Sequence, residues 1–171
     1  ARGVLGSVRN CPEGFPPGSD TAILSIFGCA PESCYTGRAP LEAAAIGLTL
    51  SPGDAAFRCN MVTLSDGESF EERRILSHSA GSIDGKESIE LVRWLFGEPS
   101  FAAMAEEFRV SVCPTPSFRH IAVRRQADLR GIVLPPPHDH LGERVGDNLP
   151  RGGNDAAILL ALMKRANALL D

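Results

Sequence analysis

Lysine is scarce in this chain of 171 residues, since only two of its 17 basic residues, Lys86 and Lys164, are lysines. Against 21 acidic residues the formal net charge is −4, which excludes a global positive field that would attract nucleic acid or an anionic membrane. An anionic ligand would therefore have to bind a local cluster of arginines, whose planar guanidinium groups suit carboxylate and phosphate.

Long apolar runs are also missing. The longest, such as residues 156–163, fall well short of the roughly 20 residues that a membrane-spanning helix requires, so we expect no membrane partner. A hydrophobic fraction of 43% and a charged fraction of 22% exclude disordered, collagen-like and coiled-coil classes. The length fits one domain, with room for a second small lobe.

The cysteines include no Cys-x-x-Cys pair, which argues against a zinc site or a redox dithiol. We expect free thiols in a reducing cytosol, and hence a cytoplasmic protein. The first ten residues lack the apolar core of a secretory signal, and the chain lacks an initiator methionine, so we expect an excised or processed piece. The five cysteines are Cys11, Cys29, Cys34, Cys59 and Cys113.

Hydrophobic periodicity, caps and turn residues predict five helices and four strands, with an extended proline-rich loop at 131–140. Turns at 66–67 and 114–117 predict two antiparallel hairpins. Because strands alternate with helices but hairpins also occur, we predict the α/β class, a mixed sheet with helices packed on it. The helices are expected at 19–27, 40–46, from 82 or 84 to 96, 100–107 and 155–170, and the strands at 54–64, 69–77, 108–113 and 118–124.

A serine hydroxyl follows a glycine turn and precedes a predicted helix in the segment Gly18-Ser19-Asp20. Unpaired backbone amides and the positive end of the helix dipole converge at such a point, which favours a phosphate on or beside Ser19. A serine or aspartate that merely caps the helix, with Gly28 ending it, explains the same spacing.

Arginines near the starts of predicted elements are the candidate anion-binding residues. Arg38 follows a glycine just before a helix, Arg58 lies on a predicted strand, and Arg119 and His120 begin another. Ligands commonly bind at strand ends in α/β sheets. The alternative for Arg38 is an exposed surface position, and for the other three it is a structural role such as a buried ion pair.

The segment Pro137-His138-Asp139-His140 has residue types that can ligate a metal. Adjacent side chains on an extended chain point to opposite sides, so His138 and His140 alone could share a face, and two ligands do not complete a tetrahedral site. We therefore expect Asp139 to cap a turn or His138 to contact a substrate.

Three ordered blocks resemble the archaeal-type 2,3-bisphosphoglycerate-independent phosphoglycerate mutase, a branch of the alkaline phosphatase superfamily. Shorter stretches at 79–83 and 136–139 and the last helix extend the resemblance over nearly the whole chain. The three blocks are PGSDTA at 17–22, YTGRAPLEA at 35–43 and GDAAFRCN at 53–60.

The resemblance implies a phosphatase-like domain, represented by residues 1–45, and an inserted substrate-binding domain, represented by residues 46–171. It implies that Ser19 is the nucleophile that carries the phosphoryl group between the two hydroxyls of glycerate. It also implies two divalent ions, manganese or magnesium or zinc, with Ser19 as a ligand, since a metal makes a serine alkoxide accessible at neutral pH. Arginines would hold the phosphoglycerate.

The chain departs from that family in length, because the opening aspartate strand and the carboxy-terminal Asp and His ligands have no counterpart. We therefore expect a central piece, inactive and metal-free alone, whose partner is the remaining phosphatase-like domain of the same polypeptide. Ser82 also stands where many relatives have a larger polar residue. Two alternatives stay open: a non-catalytic module that binds phosphorylated hydroxy acids, and another phosphotransferase such as a homoserine kinase-like relative.

Overall fold

The computed structural model describes residues 3–15 and 17–171. Its helices and strands alternate only in part, because three helices precede the first strand and two more follow each other between the third and fourth strands. Two 3-10 turns cover Pro137–Asp139 and Val145–Asn148. The helices are α1 (Ser19–Ile26), α2 (Pro31–Cys34), α3 (Arg38–Ala45), α4 (Gly85–Gly97), α5 (Pro99–Glu107) and α6 (Asp155–Leu170), and the strands are β1 (Ala55–Asn60), β2 (Thr63–Leu64), β3 (Ile75–Ser77), β4 (Val110–Cys113) and β5 (Arg119–Arg124).

The central sheet has the strand order β1-β5-β4, and both of its strand pairs are antiparallel. β4 and β5 form the hairpin that the 114–117 turn predicts, and β2 pairs with β3 in a separate two-stranded ladder. The α/β class with helices packed on a sheet is confirmed. Within residues 3–15 and 17–171, however, every strand pair is antiparallel, so the expected mixture of parallel and antiparallel strands is not seen there.

The two faces of the central sheet carry different layers. On one face, here called the α3 face, α3 packs its alanines against β1 and β5. On the other, the α4–α6 face, apolar side chains of the three helices form the larger core, in which Phe101 is 2% exposed. Burial of one such phenyl side chain contributes about 2–3 kcal/mol. Ala39, Ala43, Ala56, Ile121 and Val123 make up the smaller cluster, and Leu95, Phe101, Ala105, Val110, Ala122 and Leu162 the larger.

Caps set the helix boundaries beside the larger core. The Asp84 carboxylate accepts a hydrogen bond from the Lys86 amide at the start of α4. Glu98 ends α4 and also caps α5, where its carboxylate accepts from the Phe101 amide. Each cap satisfies one of the four backbone amides that a helix leaves unpaired at its N-terminus, and Glu98 serves as the end of one helix and the cap of the next.

Several predicted boundaries shift. The predicted strand 54–64 divides after Asn60, and the predicted strand 69–77 shortens to Ile75–Ser77, with an isolated bridge from Arg74 to Arg144 before it. The charged run before it instead reaches α6, because Arg73 forms an ion pair with Asp171. The proline-rich loop contains the 3-10 turn at its end, and Asn154 donates its side-chain amide to Asp128 rather than capping α6.

α3 begins at Arg38, two residues before the predicted start, and packs on β1 and β5. α3 ends at Ala45, the last residue of the predicted first domain, and packs on strands of the predicted second domain. The division into 1–45 and 46–171 stays a prediction. Of the helices described between residues 3 and 171, none combines the length and the apolar character needed to cross a membrane.

Candidate functional site

Ser19 is the first residue of α1 and is exposed to solvent. Gly18 occupies the N-cap position with an extended backbone, so neither Ser19 nor Asp20 caps the helix. Glycine is needed there because a Cβ at residue 18 would collide with the Asp20 carboxylate. Buried Thr21 fixes the turn by donating its hydroxyl to the Gly18 carbonyl at 3.1 Å. The Ser19 hydroxyl is therefore presented at the helix entrance without a structural duty in its own helix.

Arg38 points its guanidinium group at this serine. Its Nη2 atom donates to Ser19 Oγ at 3.3 Å. The same nitrogen lies 3.1 Å from Asp20 Oδ1, and Nε donates to Asp20 Oδ2 at 3.2 Å. A guanidinium fork held on a carboxylate is a geometrically fixed donor. Arg38 is thus oriented toward the Ser19 oxygen rather than left as a mobile surface side chain.

Asp20 is held as a carboxylate by two donors, Arg38 and the Tyr35 hydroxyl. The Arg38 hydrogen bond, followed by that of Tyr35, keeps the pKa of Asp20 well below its usual range despite opposing desolvation. Burial and the bond to Asp20 raise the pKa of Tyr35 to about 12. Asp20 therefore has little basicity left for removing the Ser19 proton, and its role is to position Arg38.

Strand register brings three polar side chains to the α3 face. Arg58 and Asn60 alternate with inward-facing residues of β1, and Asn60 lies directly opposite Arg119 of β5. Arg58 Nε lies 3.3 Å from Glu42 Oε2 of α3. Burial lowers the pKa of Arg58, Glu42 opposes that change, and the Arg119 and Arg38 charges lower it further. The three guanidinium groups therefore lie within electrostatic reach of one another.

Buried polar atoms on this face lack partners. Arg58 Nε, Arg119 Nε and Asn60 Oδ1 make no hydrogen bond to any residue that the structure describes. Glu42 is near enough to pair with Arg58 electrostatically but is not aligned as its hydrogen-bond acceptor. Each such unsatisfied group costs about 1–3 kcal/mol. Two buried donors and one acceptor side by side are a fitting environment for an anion that also carries a hydroxyl.

A cavity of about 280 Å³ opens beside Arg119 and Glu42, between α3 and the turn that joins β4 to β5. Glu42, Thr115, Ser117 and Arg119 supply its polar walls. This volume lies near the lower end of about 300–1,000 Å³ for small-molecule sites, and so suits a compact ligand.

His138 reaches the same neighbourhood through a row of rings. Its imidazole packs edge-on to His78 at 6.4 Å, and His78 packs on Phe118 at 5.7 Å. The Arg119 guanidinium carbon lies 4.7 Å from the centre of the Phe118 ring. His138 remains partly exposed in its 3-10 turn and is connected to Arg119 only through the His78 and Phe118 rings.

The prediction of His120 as a substrate contact is wrong. His120 is 0% exposed and points to the α4–α6 face, opposite to its neighbour Arg119. Both of its ring nitrogens have partners, Ser88 Oγ at 3.0 Å and the Thr115 amide at 3.1 Å. The physical reason is strand alternation, because adjacent residues of β5 face opposite sides of the sheet.

Residues 3–15 and 17–171 hold no group of three or more His, Cys, Asp and Glu that could bind a metal ion. The cysteines are free thiols. These residues by themselves do not fit a two-metal centre, for which Ser19 could supply one oxygen ligand and no more.

Four participants were not singled out from the sequence as site residues: Asp20, Tyr35, Glu42 and Asn60. All four lie inside the three blocks at 17–22, 35–43 and 53–60 that carry the family resemblance, so membership of a block was the signal that could have identified them. What the blocks do not contain is the pairing of β1 with β5, and without that register Asn60 cannot be placed beside Arg119.

Comparison with known proteins assigns the family. The family model described as 2,3-bisphosphoglycerate-independent phosphoglycerate mutase matches residues 1–171. The mutase of that name from Methanosarcina acetivorans is 40% identical over 100% of this chain and 40% of its own length. The one from Methanothrix thermoacetophila is 42% identical over 99% of this chain and 39% of its own length.

The chain thus spans about 40% of the length of these curated relatives. No solved structure matches it at a significant level. Because the family model covers every residue and the identities extend over essentially the whole chain, the chain belongs to the family of 2,3-bisphosphoglycerate-independent phosphoglycerate mutases.

Proposed function

We propose that this chain is the central part of a phosphoglycerate mutase that interconverts 3-phosphoglycerate and 2-phosphoglycerate, and that it is inactive alone. One observation carries the proposal: an exposed hydroxyl at a helix start, that of Ser19, lies 3.3 Å from a fixed Arg38 donor. Family membership and the 40% coverage of the relatives support the reaction class and the need for further segments.

In the proposed reaction, Ser19 Oγ forms a bond to phosphorus while the bond from phosphorus to one glycerate oxygen breaks. Ser19 loses its proton and the released glycerate oxygen gains one. The other glycerate hydroxyl then loses its proton and bonds to phosphorus, while the bond from phosphorus to Ser19 Oγ breaks and Oγ regains a proton. Arg38 and the amides at the start of α1 stabilise the charge on the transferring group. Ser19 is regenerated at the end, so no net phosphate is consumed.

Activation of Ser19 must come from groups other than Asp20, whose oxygens already accept from Tyr35 and Arg38. We assign it to two divalent ions, manganese or magnesium or zinc, in the complete polypeptide. Such ions lower the pKa of a bound hydroxyl. Ser19 is the one ligand proposed from this chain.

Substrate binding is assigned to Arg38, Arg58, Arg119 and His138. The unpartnered donors of Arg58 and Arg119 suit the carboxylate or phosphate of phosphoglycerate, and the cavity of about 280 Å³ suits its size. Bonds from guanidinium groups to an anion are stronger than neutral hydrogen bonds.

The proposed partner is the remaining phosphatase-like domain of the same polypeptide. α1 exposes apolar side chains, Ile23, Ile26 and, at its C-cap, Phe27, which is 79% exposed. Contiguous apolar side chains at a surface mark an interaction site. Packing against further segments of the polypeptide would bury them and hold Ser19 at the reaction centre.

The proposal is tested in the complete polypeptide by comparing Ser19→Ala with Ser25→Ala, a serine on the same helix. Ser19→Ala should reduce turnover of 3-phosphoglycerate by at least about a thousandfold, because covalent catalysis is lost. Ser25→Ala should stay near the wild-type rate. Acid-stable labelling of the protein by substrate carrying radioactive phosphate should also vanish in Ser19→Ala alone.

Normal turnover by Ser19→Ala would exclude Ser19 as the nucleophile. Transfer from a nucleotide to homoserine, with no mutase turnover, would favour the kinase-like alternative. Millimolar binding of 3-phosphoglycerate without any turnover in the complete polypeptide would favour a non-catalytic binding module.

A further inference from the structure

The buried His120 ring belongs to a chain of three hydrogen bonds. The Thr115 backbone amide donates to Nδ1 at 3.1 Å, and Nε2 lies 3.0 Å from Ser88 Oγ. Ser88 Oγ in turn donates to the Ser117 carbonyl at 2.9 Å. Every member of this chain is a group of fixed or deducible polarity.

One tautomer alone satisfies the chain. A backbone amide can only donate, so Nδ1 must be unprotonated and accept from Thr115. A neutral imidazole then carries its proton on Nε2, which donates to Ser88 Oγ, and the Ser88 hydroxyl proton is free to serve Ser117. Burial, which lowers the pKa of His120, supports the neutral form.

The His120 ring is hydrogen-bonded to the buried side of the turn between β4 and β5. Thr115 and Ser117 line the cavity on the opposite side, and Arg119 begins β5 immediately after the turn. α4 packs against the same turn without an intervening side chain, because a Cβ at Gly85 would lie 2.8 Å from the Pro116 carbonyl oxygen. The turn, the ring and the start of α4 therefore form one packed unit.

We propose that His120 is a positioning residue of the substrate site, whose neutral Nε2–H tautomer locks the 114–118 turn to α4 and so sets the position of Arg119. The inference rests on the proposed function for its substrate. His120 acts through the backbone from behind the sheet and touches no ligand.

The test compares His120→Asn with His120→Gln in the complete polypeptide. The Asn oxygen can take the place of Nδ1 and accept from Thr115, whereas the Gln amide can reach Ser88 but leaves the Thr115 amide without an acceptor. His120→Gln should raise KM for 3-phosphoglycerate about tenfold, the effect of one lost buried hydrogen bond, with kcat within about threefold. His120→Asn should keep KM within about threefold of the wild-type value.

A role in folding alone would not separate the two variants in this way. Equal changes of KM in both, or a loss confined to kcat, would overturn the inference. Ring nitrogen chemical shifts of His120 supply a readout independent of turnover: an unprotonated Nδ1 with a protonated Nε2 is expected, and the reverse tautomer or an imidazolium would overturn it.

Ser88→Ala is the second variant if His120→Gln does not fold. It keeps the ring bonded to Thr115 but cuts the link to Ser117, so KM should rise by a smaller factor of about threefold. An unchanged KM would overturn the inference.

If the complete wild-type polypeptide shows no mutase turnover, the proposed function fails, and the dissociation constant for 3-phosphoglycerate replaces KM in the same comparison. The positioning role then stands if His120→Gln weakens binding and His120→Asn does not. It fails if the wild-type polypeptide does not bind 3-phosphoglycerate.

Discussion

The two faces of the central sheet both contain half-buried arginines, but they use them differently. On the α4–α6 face, Arg124 places a terminal nitrogen 3.5 Å from Asp155, a carboxylate that is itself buried. On the α3 face, Arg58 meets Glu42 only through Nε, at 3.3 Å and not aligned for a hydrogen bond, and the terminal nitrogens of Arg58 and Arg119 bond to none of the described residues. The Nε atoms of all three arginines are buried without an acceptor, so the two faces differ in what the terminal nitrogens contact. An arginine whose terminal nitrogens pair with a buried carboxylate supports stability, whereas one whose terminal nitrogens have no partner in the protein is available to a ligand.

Removal of the Arg124 side chain is the most direct test of this difference between the two faces. Arg124→Ala should lower the free energy of unfolding by about 3 kcal/mol, because the buried Asp155 loses its partner charge and keeps only the Asp128 amide. Chemical denaturation measures the change. A variant as stable as the wild type would show that the pair does not stabilise this face.

Arg58 should give the opposite pattern. Arg58→Ala should weaken binding of 3-phosphoglycerate about 30-fold, since a charged donor to the anion is lost, and change unfolding by less than about 1 kcal/mol. Isothermal titration and denaturation of the same sample provide both values. Arg58→Lys serves as the control for charge without the guanidinium fork, and affinity unaffected by Arg58→Ala would remove Arg58 from the site.

Acidification should reveal the smallest effect, through His120 on the α4–α6 face. Burial lowers its pKa in the folded chain, so the unfolded chain binds the proton first as the pH falls. The contribution of His120 to the free energy of unfolding is fully present above the ordinary histidine pKa of about 6.5. Below that pH the contribution declines, by at most about 1.4 kcal/mol per pH unit. His120→Asn should flatten the dependence between pH 7 and 5, and an identical slope in both proteins would contradict the neutral ring.

The parts of the site that lie close together in the sequence were predictable. Ser19 and Arg38 are each marked by a glycine turn and a helix start, and the structure brings the two together. Gly28 ends the α1 segment with a φ of +80°, as the sequence predicts, and the hairpin of β4 and β5 is confirmed.

The parts that depend on strand register were not predictable. In residues 119–124 two arginines flank four side chains that are buried on both faces of the sheet, so the pattern does not tell whether Arg119 shares a face with Arg58. His120 was assigned to the ligand for that reason. The prediction that Ser19 or Asp20 caps α1 depended on distant residues in the same way, because the Asp20 carboxylate accepts from Tyr35 and Arg38, which are 15 and 18 positions away.

Gly85 and Pro116 pack backbone against backbone, with no flexible side chain between them to absorb a movement of the turn. A shift of the 114–118 turn would therefore displace the start of α4. The chain's one tryptophan, Trp94, lies on the same helix, nine residues and about 14 Å farther along its axis. Trp94 is 52% exposed, so its fluorescence responds to its solvent shell and offers a label-free signal for events at a cavity it does not touch.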